Sequence, residues 1–175
     1  MGAGKTSVGV ALAKRLNWIF EDLDDRIEQR EGRTIAEIFR DSGEEEFRRA
    51  EWAALQQMLD ESRSGVSRIM ALGGGAFVQQ RNEALLKSAG FPIVFLDAPV
   101  EELWQRCQSQ GGSERPLQGT REQFNQLYEA RRRSYLRASL KIETSGRTVE
   151  AIAADIGRRL GLREIVTRTE QGELE

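Results

Sequence analysis

There is no histidine anywhere in the 175 residues, and there is a single cysteine, Cys107. Without imidazole, any general base must be a carboxylate. Without histidine or a second cysteine, the usual zinc ligand sets are excluded. One cysteine also excludes an internal disulfide and fits a reducing cytosol. No apolar run approaches the roughly 20 residues of a membrane span. No basic-then-apolar leader follows Met1 either. The expectation is a cytoplasmic protein with no membrane partner. Charge is nearly balanced, at 26 basic against 28 acidic residues and a net −2, which argues against a nucleic-acid partner. The basic residues are uneven, however. Arg131, Arg132, Arg133 and Arg137 cluster late in the chain, as a solvated helix face or as a local anion site.

What is present reads as one globular domain: 39% apolar and 31% charged residues, in a length that buries a sizeable core. Val8, Ala11, Leu12 and Leu16 fall at helical spacing, which places a helix over about residues 4–16. WIFEDLD (18–24) reads as a buried strand tipped with carboxylates, and a helix begins at Asp25. Thr34 and Glu37 form a capping box, and Ser42-Gly43 breaks the helix that it opens. From Glu44 to about Asp60 a further helix turns Phe47, Ala50, Ala54, Leu55 and Met58 inward. SRIMALGGG (67–75) is a strand running into three glycines, and residues 80–89 are helical.

PIVFLDAP (92–99) is a strand, and Pro99 suits the first turn of the helix after it. The polar, glycine-rich stretch 108–120 has the length of a functional lid. Thr120 and Gln123 cap a helix carrying Phe124, Leu127, Tyr128 and Arg131. LKIET (140–144) is a strand, and Val149, Ile152, Ala153, Ile156 and Leu160 make the last helix. Residues 163–175 have no periodicity and read as a flexible tail. Strands alternating with helices predict an α/β fold of three layers, with a central parallel sheet covered on both faces. The domain spans 1–162 and contains four recognisable strands.

Three stretches carry chemistry. Gly4-Lys5-Thr6 is the end of the phosphate-loop pattern G-x-x-x-x-G-K-[ST]. In such a loop, backbone N–H groups and the helix dipole hold phosphate oxygens. The lysine reaches the β/γ-phosphates and the hydroxyl ligates Mg²⁺. A plain glycine-rich turn before a helix is the alternative. The pattern's first glycine would stand two residues ahead of Met1. Asp22 and Asp24 end a strand, where period-2 alternation would point both to one side. Together they can divide metal holding from acceptance of a hydroxyl proton. Gly73-Gly74-Gly75 exceeds what a tight turn needs and suggests a ligand lying against the main chain.

Taken together, these residues resemble the shikimate kinase family, P-loop kinases related in fold to nucleoside-monophosphate kinases. The resemblance covers residues 1 to about 162. It rests on GAGKT, DLDDRIEQREGRTIAEIF, GEEEFRRAE, ALGGGA, VFLDAP, RPL and RRRSY, most specifically on 32–39 and 43–48. It implies a five-stranded sheet in the order 2-3-1-4-5, whose first strand is absent from this sequence. It also implies ATP- and Mg²⁺-dependent phosphorylation of the shikimate 3-hydroxyl, on the way to chorismate and the aromatic amino acids, by a monomer.

By position, the resemblance makes Gly2, Ala3, Gly4, Lys5, Thr6 and Ser7 ATP ligands, with Thr6 and, through water, Asp22 on Mg²⁺. Asp24 would hold the shikimate hydroxyls as base or orienting group. Arg48 would bind the carboxylate, with Glu51 holding it; the plainer reading of that pair is a surface i,i+3 contact. Gly73, Gly74 and Gly75 would line the substrate. Arg115 would be the lid arginine that stabilises transferring phosphate, acting with Lys5 and Asp24 in catalysis.

A second carboxylate-binding arginine falls four residues before Tyr135, at Arg131. The family's intervening proline is missing, so Arg132 and Arg133 stand as alternatives, although a helix points them elsewhere. Arg106 and Arg147 would clamp the adenine. Trp104 and Cys107 read as packing. A gluconate-kinase-like enzyme, or a non-catalytic shikimate-binding protein, is the competing reading. The family's loop often carries a methionine where Met1 stands, so the resemblance also implies an apolar strand ending in Gly-x ahead of it.

Overall fold

The computed structural model describes residues 2–109 and 120–163. Helix α1 (Lys5–Leu16) starts directly behind the glycine loop. Gly4, at φ 75°, is its N-cap and supplies no side-chain bond, so no cap side chain occupies the start of the helix. Strand β1 (Ile19–Asp22) is shorter than the expected 18–24, because Leu23 is already helical. Asp22 caps α2 (Leu23–Glu31), its side chain accepting the Asp24 N–H. A helix cap, and not strand alternation, therefore relates Asp22 to Asp24.

Helix α3 (Ile35–Arg63) opens with the Thr34–Glu37 capping box. It is kinked at Gly43, whose φ of 77° is a backbone that residues with a Cβ avoid. The predicted break is thus a sharp bend between two helical arms. The second arm buries Phe47, Ala50, Ala54, Leu55 and Met58. Leu55 and Met58 are fully enclosed, each stabilising the fold by about 1.5–3 kcal/mol. Next come β2 (Arg68–Ala71), a single 3-10 turn (Ala76–Val78), α4 (Gln80–Ser88) and β3 (Val94–Asp97). Then follow α5 (Val100–Ser109), α6 (Arg121–Tyr135), β4 (Leu140–Glu143) and α7 (Val149–Arg159). The Thr120–Gln123 capping box opens α6.

Among the described residues, four strands pair in parallel as two separate pairs, the pairs 2-3 and 4-5 that the order 2-3-1-4-5 leaves when its first strand is absent. β1 lies beside β2, from Ile19–Arg68 to Asp22–Ala71, and β3 beside β4, from Val94–Leu140 to Asp97–Glu143. A cavity of about 490 Å³ stands between the pairs, lined by Leu12, Ile69, Ala71, Phe77, Val94 and Leu96 among others. Helices α1 and α7 hold the pairs together, because Ile69 from one pair and Val94, Leu96 and Ile142 from the other share their core. Met70, next to Ile69, packs instead against the core of α2, α3 and α4. Successive residues of β2 therefore face opposite layers. The three-layer α/β/α arrangement stands, with its middle layer split.

A third cluster, Ala98, Leu103, Phe124 and Tyr128 with Trp104 and Cys107, joins α5 to α6. Trp104 meets the Phe124 ring edge-on at 5.2 Å, so both Trp104 and Cys107 do pack. Among the described residues, no helix is long and apolar enough to cross a membrane. Met1, most of the expected lid with Arg115, and the tail from 164 onward lie outside the described residues.

Candidate active site

The glycine loop is pressed against α5. A Cβ on Gly2 would stand 2.6 Å from the Leu103 carbonyl oxygen and 2.9 Å from Cys107 Sγ, so only glycine fits. Lys5 and Thr6 open α1, and the Thr6 hydroxyl donates to Asp22 Oδ2 at 3.1 Å. Asp22 Oδ1 accepts the Asp24 N–H at 3.1 Å. One carboxylate thus starts α2 and reaches the phosphate end of α1. Two hard oxygen donors beside a helix N-terminus suit Mg²⁺, which takes few protein oxygens and completes its shell with phosphates and water. Among the described residues, no cluster of three or more acidic, histidine or cysteine side chains could hold a metal by itself.

The triple glycine faces two predicted substrate residues. A Cβ on Gly73 would stand 2.6 Å from Asp24 Oδ1, and one on Gly75 would stand 2.9 Å from Arg48 Nη1. Arg48 Nη1 donates to both oxygens of Glu51 at 3.1 Å. The Glu51 side chain is only 2% exposed, which corrects the reading of this pair as a surface contact. Burial pushes the Glu51 carboxyl above its ordinary range, and the Arg48 guanidinium opposes that shift. The outer edge of Arg48 meets Glu44, with Nε at 3.2 Å and Nη2 at 3.0 Å, and Glu44 is largely exposed.

From the other side, the Tyr135 hydroxyl donates to the Gly74 carbonyl. Arg131, one turn earlier on α6, sets its guanidinium against that same hydroxyl, opposing the upward push of burial on it. Arg132 turns away to the buried Asp97 at 3.6 Å, where Tyr128 and Lys141 also converge, at 2.9 and 2.7 Å. Arg133 is exposed. The three arginines thus separate as helical geometry predicts, with Arg131 on the side of α6 that carries Tyr135.

Arg106 pairs with Glu102, and Glu102 also accepts the Ser145 hydroxyl at 2.6 Å. Arg147 bonds the Glu143 carbonyl at 3.0 Å, Asp155 at 3.1 Å and the Ala151 carbonyl at 3.2 Å. The segment carrying Arg147 therefore lies against α5, which carries Arg106. Sequence reasoning missed two polar groups next to the glycine turn. One is the Tyr135 hydroxyl, noticed only as a position marker. The other is Asn82, fully buried, whose Nδ2 reaches Glu51 Oε2 at 3.3 Å and the Ala76 carbonyl at 3.1 Å. An asparagine in a polar helical stretch gives no sign of burial.

Comparison with known proteins places these features in a family. The sequence model of the shikimate kinase family matches residues 1–161. Shikimate kinase from Geobacter sulfurreducens is 41% identical over 160 residues, covering 89% of this chain and 84% of that protein. The solved structure of shikimate kinase from Acinetobacter baumannii in complex with shikimate superposes with a TM-score of 0.77 at 33% identity, covering 92% of this chain and 89% of that one. That of the Bacteroides thetaiotaomicron shikimate kinase gives 0.80 at 30% identity, covering 93% and 94%. With its phosphate loop, its Asp22–Asp24 cap and its glycine turn in place, this chain belongs to the shikimate kinase family.

Proposed function

We propose that this chain transfers the γ-phosphoryl group of ATP to the 3-hydroxyl of shikimate, giving ADP and shikimate 3-phosphate, as a cytoplasmic monomer using Mg²⁺. The observation that carries this reading is the convergence of Asp24 and Arg48 on the Gly73–Gly75 turn, beside the Thr6–Asp22 pair. An acid-and-alcohol site thus adjoins a phosphate site.

The substrate carboxylate replaces Glu44 on the outer edge of Arg48. An exposed ion pair gives up its place at little cost, typically about 1 kcal/mol or less. Arg131 meets the same carboxylate from α6, so that two cations fix the orientation of the ring. Gly73, Gly74 and Gly75 let the ring lie on bare backbone. Asp24 accepts the proton of the attacking hydroxyl as its oxygen bonds to phosphorus. The bond from phosphorus to the β,γ-bridging oxygen breaks, and ADP leaves. Gly2 through Ser7 present backbone N–H groups to the phosphates, and Lys5 adds a cation. Thr6 and Asp22 would hold Mg²⁺, which when bound neutralises charge on the β- and γ-oxygens. Arg115 supplies charge to the transferring group, and Arg106 and Arg147 flank the adenine.

ADP release by the purified chain, with shikimate or gluconate as acceptor, tests the proposal. Shikimate-dependent release that Lys5→Ala abolishes is the expected result. Release with gluconate alone would move the assignment to that acid. Binding of shikimate with no ADP formed would leave a binding protein.

A further inference from the structure

The glycine turn offers carbonyls both to its own backbone and to side chains outside it. The Gly73 and Gly75 carbonyls are taken up inside the turn, by the N–H groups of Ala76 at 3.0 Å and Val78 at 3.2 Å. The Gly74 and Ala76 carbonyls accept side chains from outside it, Ala76 in addition to the Gln79 N–H at 3.3 Å. Gly74 takes the Tyr135 hydroxyl, and Ala76 takes Asn82 Nδ2 at 3.1 Å. Each of these side chains also leads to one arginine. Arg131 stands one helical turn before Tyr135 on the same face of α6. Asn82 Nδ2 reaches Glu51 Oε2 at 3.3 Å, and Glu51 holds Arg48 at 3.1 Å.

The chemistry of both links is restrictive. Asn82 faces two acceptors, so only its amide nitrogen can point there, and neither an acid nor an aliphatic side chain can replace it. A tyrosine hydroxyl can donate to a carbonyl while accepting from a guanidinium, and phenylalanine can do neither. Arg48 and Arg131 sit on α3 and α6, far apart in sequence, so no single element sets their separation. We infer that Asn82 and Tyr135 are positioning residues that tether Arg48 and Arg131 to one shared reference, the glycine turn against which the substrate lies. This rests on the reading of both arginines as carboxylate ligands. The turn then acts as a gauge: it sets the distance between the two cations and places the ring relative to both.

Shikimate binding to the full chain, measured by titration calorimetry in double-mutant cycles, tests the tether. Tyr135→Phe and Asn82→Leu should each weaken shikimate binding about tenfold, while ATP binding changes less than about twofold. In an Arg131→Met background, Tyr135→Phe should add less than about twofold, yet keep its tenfold effect in an Arg48→Met background. Asn82→Leu should show the reverse pattern. Asn82→Ala repeats the cycle if the leucine variant loses its cooperative melt. Equal effects in every background would mean a general structural role and would overturn the tether, as would unchanged binding in the Tyr135 and Asn82 variants. If Arg48→Met and Arg131→Met themselves leave shikimate binding unchanged, the carboxylate reading fails instead.

Discussion

Both carboxylate oxygens of Glu51 accept the same nitrogen of Arg48, Nη1, each at 3.1 Å, and the carboxylate is buried while the arginine's far edge faces outward. A buried carboxylate is costly unless it is paired, so Arg48 cannot swing away without leaving an uncompensated charge. What remains for a ligand is the Nε–Nη2 edge that Glu44 now occupies.

Glu51→Gln should therefore raise KM for shikimate about tenfold or more, while stability at neutral pH changes little, because the fold already favours an uncharged side chain at this position. The wild-type pH profile carries the same signature. Because burial raises the Glu51 carboxyl, acidification protonates it before an ordinary glutamate. kcat/KM for shikimate should fall on that limb, and the limb should be absent in Glu51→Gln. For stability the sign is the opposite. A raised carboxyl binds its proton more tightly in the folded state, so it costs stability as pH climbs from the ordinary glutamate range through the raised one. A pH series of kcat/KM alongside thermal melts checks both signs.

Gly75→Ala should leave the fold intact and impair shikimate binding. Gly75 has φ −96°, which alanine adopts readily. Its new methyl, however, would stand 2.9 Å from Arg48 Nη1 and 3.0 Å from Nη2, and the guanidinium must shift away from Glu51. We expect a KM for shikimate raised about tenfold, equivalent to about 1.4 kcal/mol, at unchanged KM for ATP. An unchanged shikimate KM would show that Arg48 relaxes at no cost.

Asp22→Asn separates two duties of one side chain. Asparagine caps a helix as well as aspartate does, so α2 and the melting temperature should hold. The lost negative charge should appear only in the Mg²⁺ titration, as a requirement raised about 10–100-fold. A lower melting temperature with normal Mg²⁺ dependence would assign Asp22 to capping alone.

The space between the two strand pairs should accept an extended apolar segment. β2 and β3 each face it with a strand edge, and its lining is mainly aliphatic and aromatic. A valine- and isoleucine-rich strand fused ahead of Gly2 should raise the melting temperature by at least about 4 °C. Lysines at its alternate positions should abolish the gain, since both faces of such a strand are buried. Scanning calorimetry of the three chains decides it; no gain from the apolar fusion would sink the idea.

Much of the site was legible because its signals are local. A cap, a glycine break or a phosphate loop involves residues within about one turn of each other, and their bonds form wherever the sequence places them. The Thr34–Glu37 and Thr120–Gln123 boxes and the bend at Gly43 therefore stand where the sequence put them. Locality also misled. The Asp22–Asp24 alternation assumed a strand running to residue 24, but the cap on α2 takes over after Asp22. Asn82 and the Tyr135 hydroxyl gave no signal, because their partners lie far along the chain.

By itself, then, the sequence determined the α/β alternation, the phosphate loop, the capped helices and the identities of the charged and glycine residues available to a site. Only the tertiary structure decided that a cavity stands between the two strand pairs, that Glu51 is buried, and that Arg132 is taken up by Asp97. The reason is physical. Strand pairing and burial depend on groups such as Gly74 and Tyr135, 61 residues apart, which meet only when the chain has closed its core.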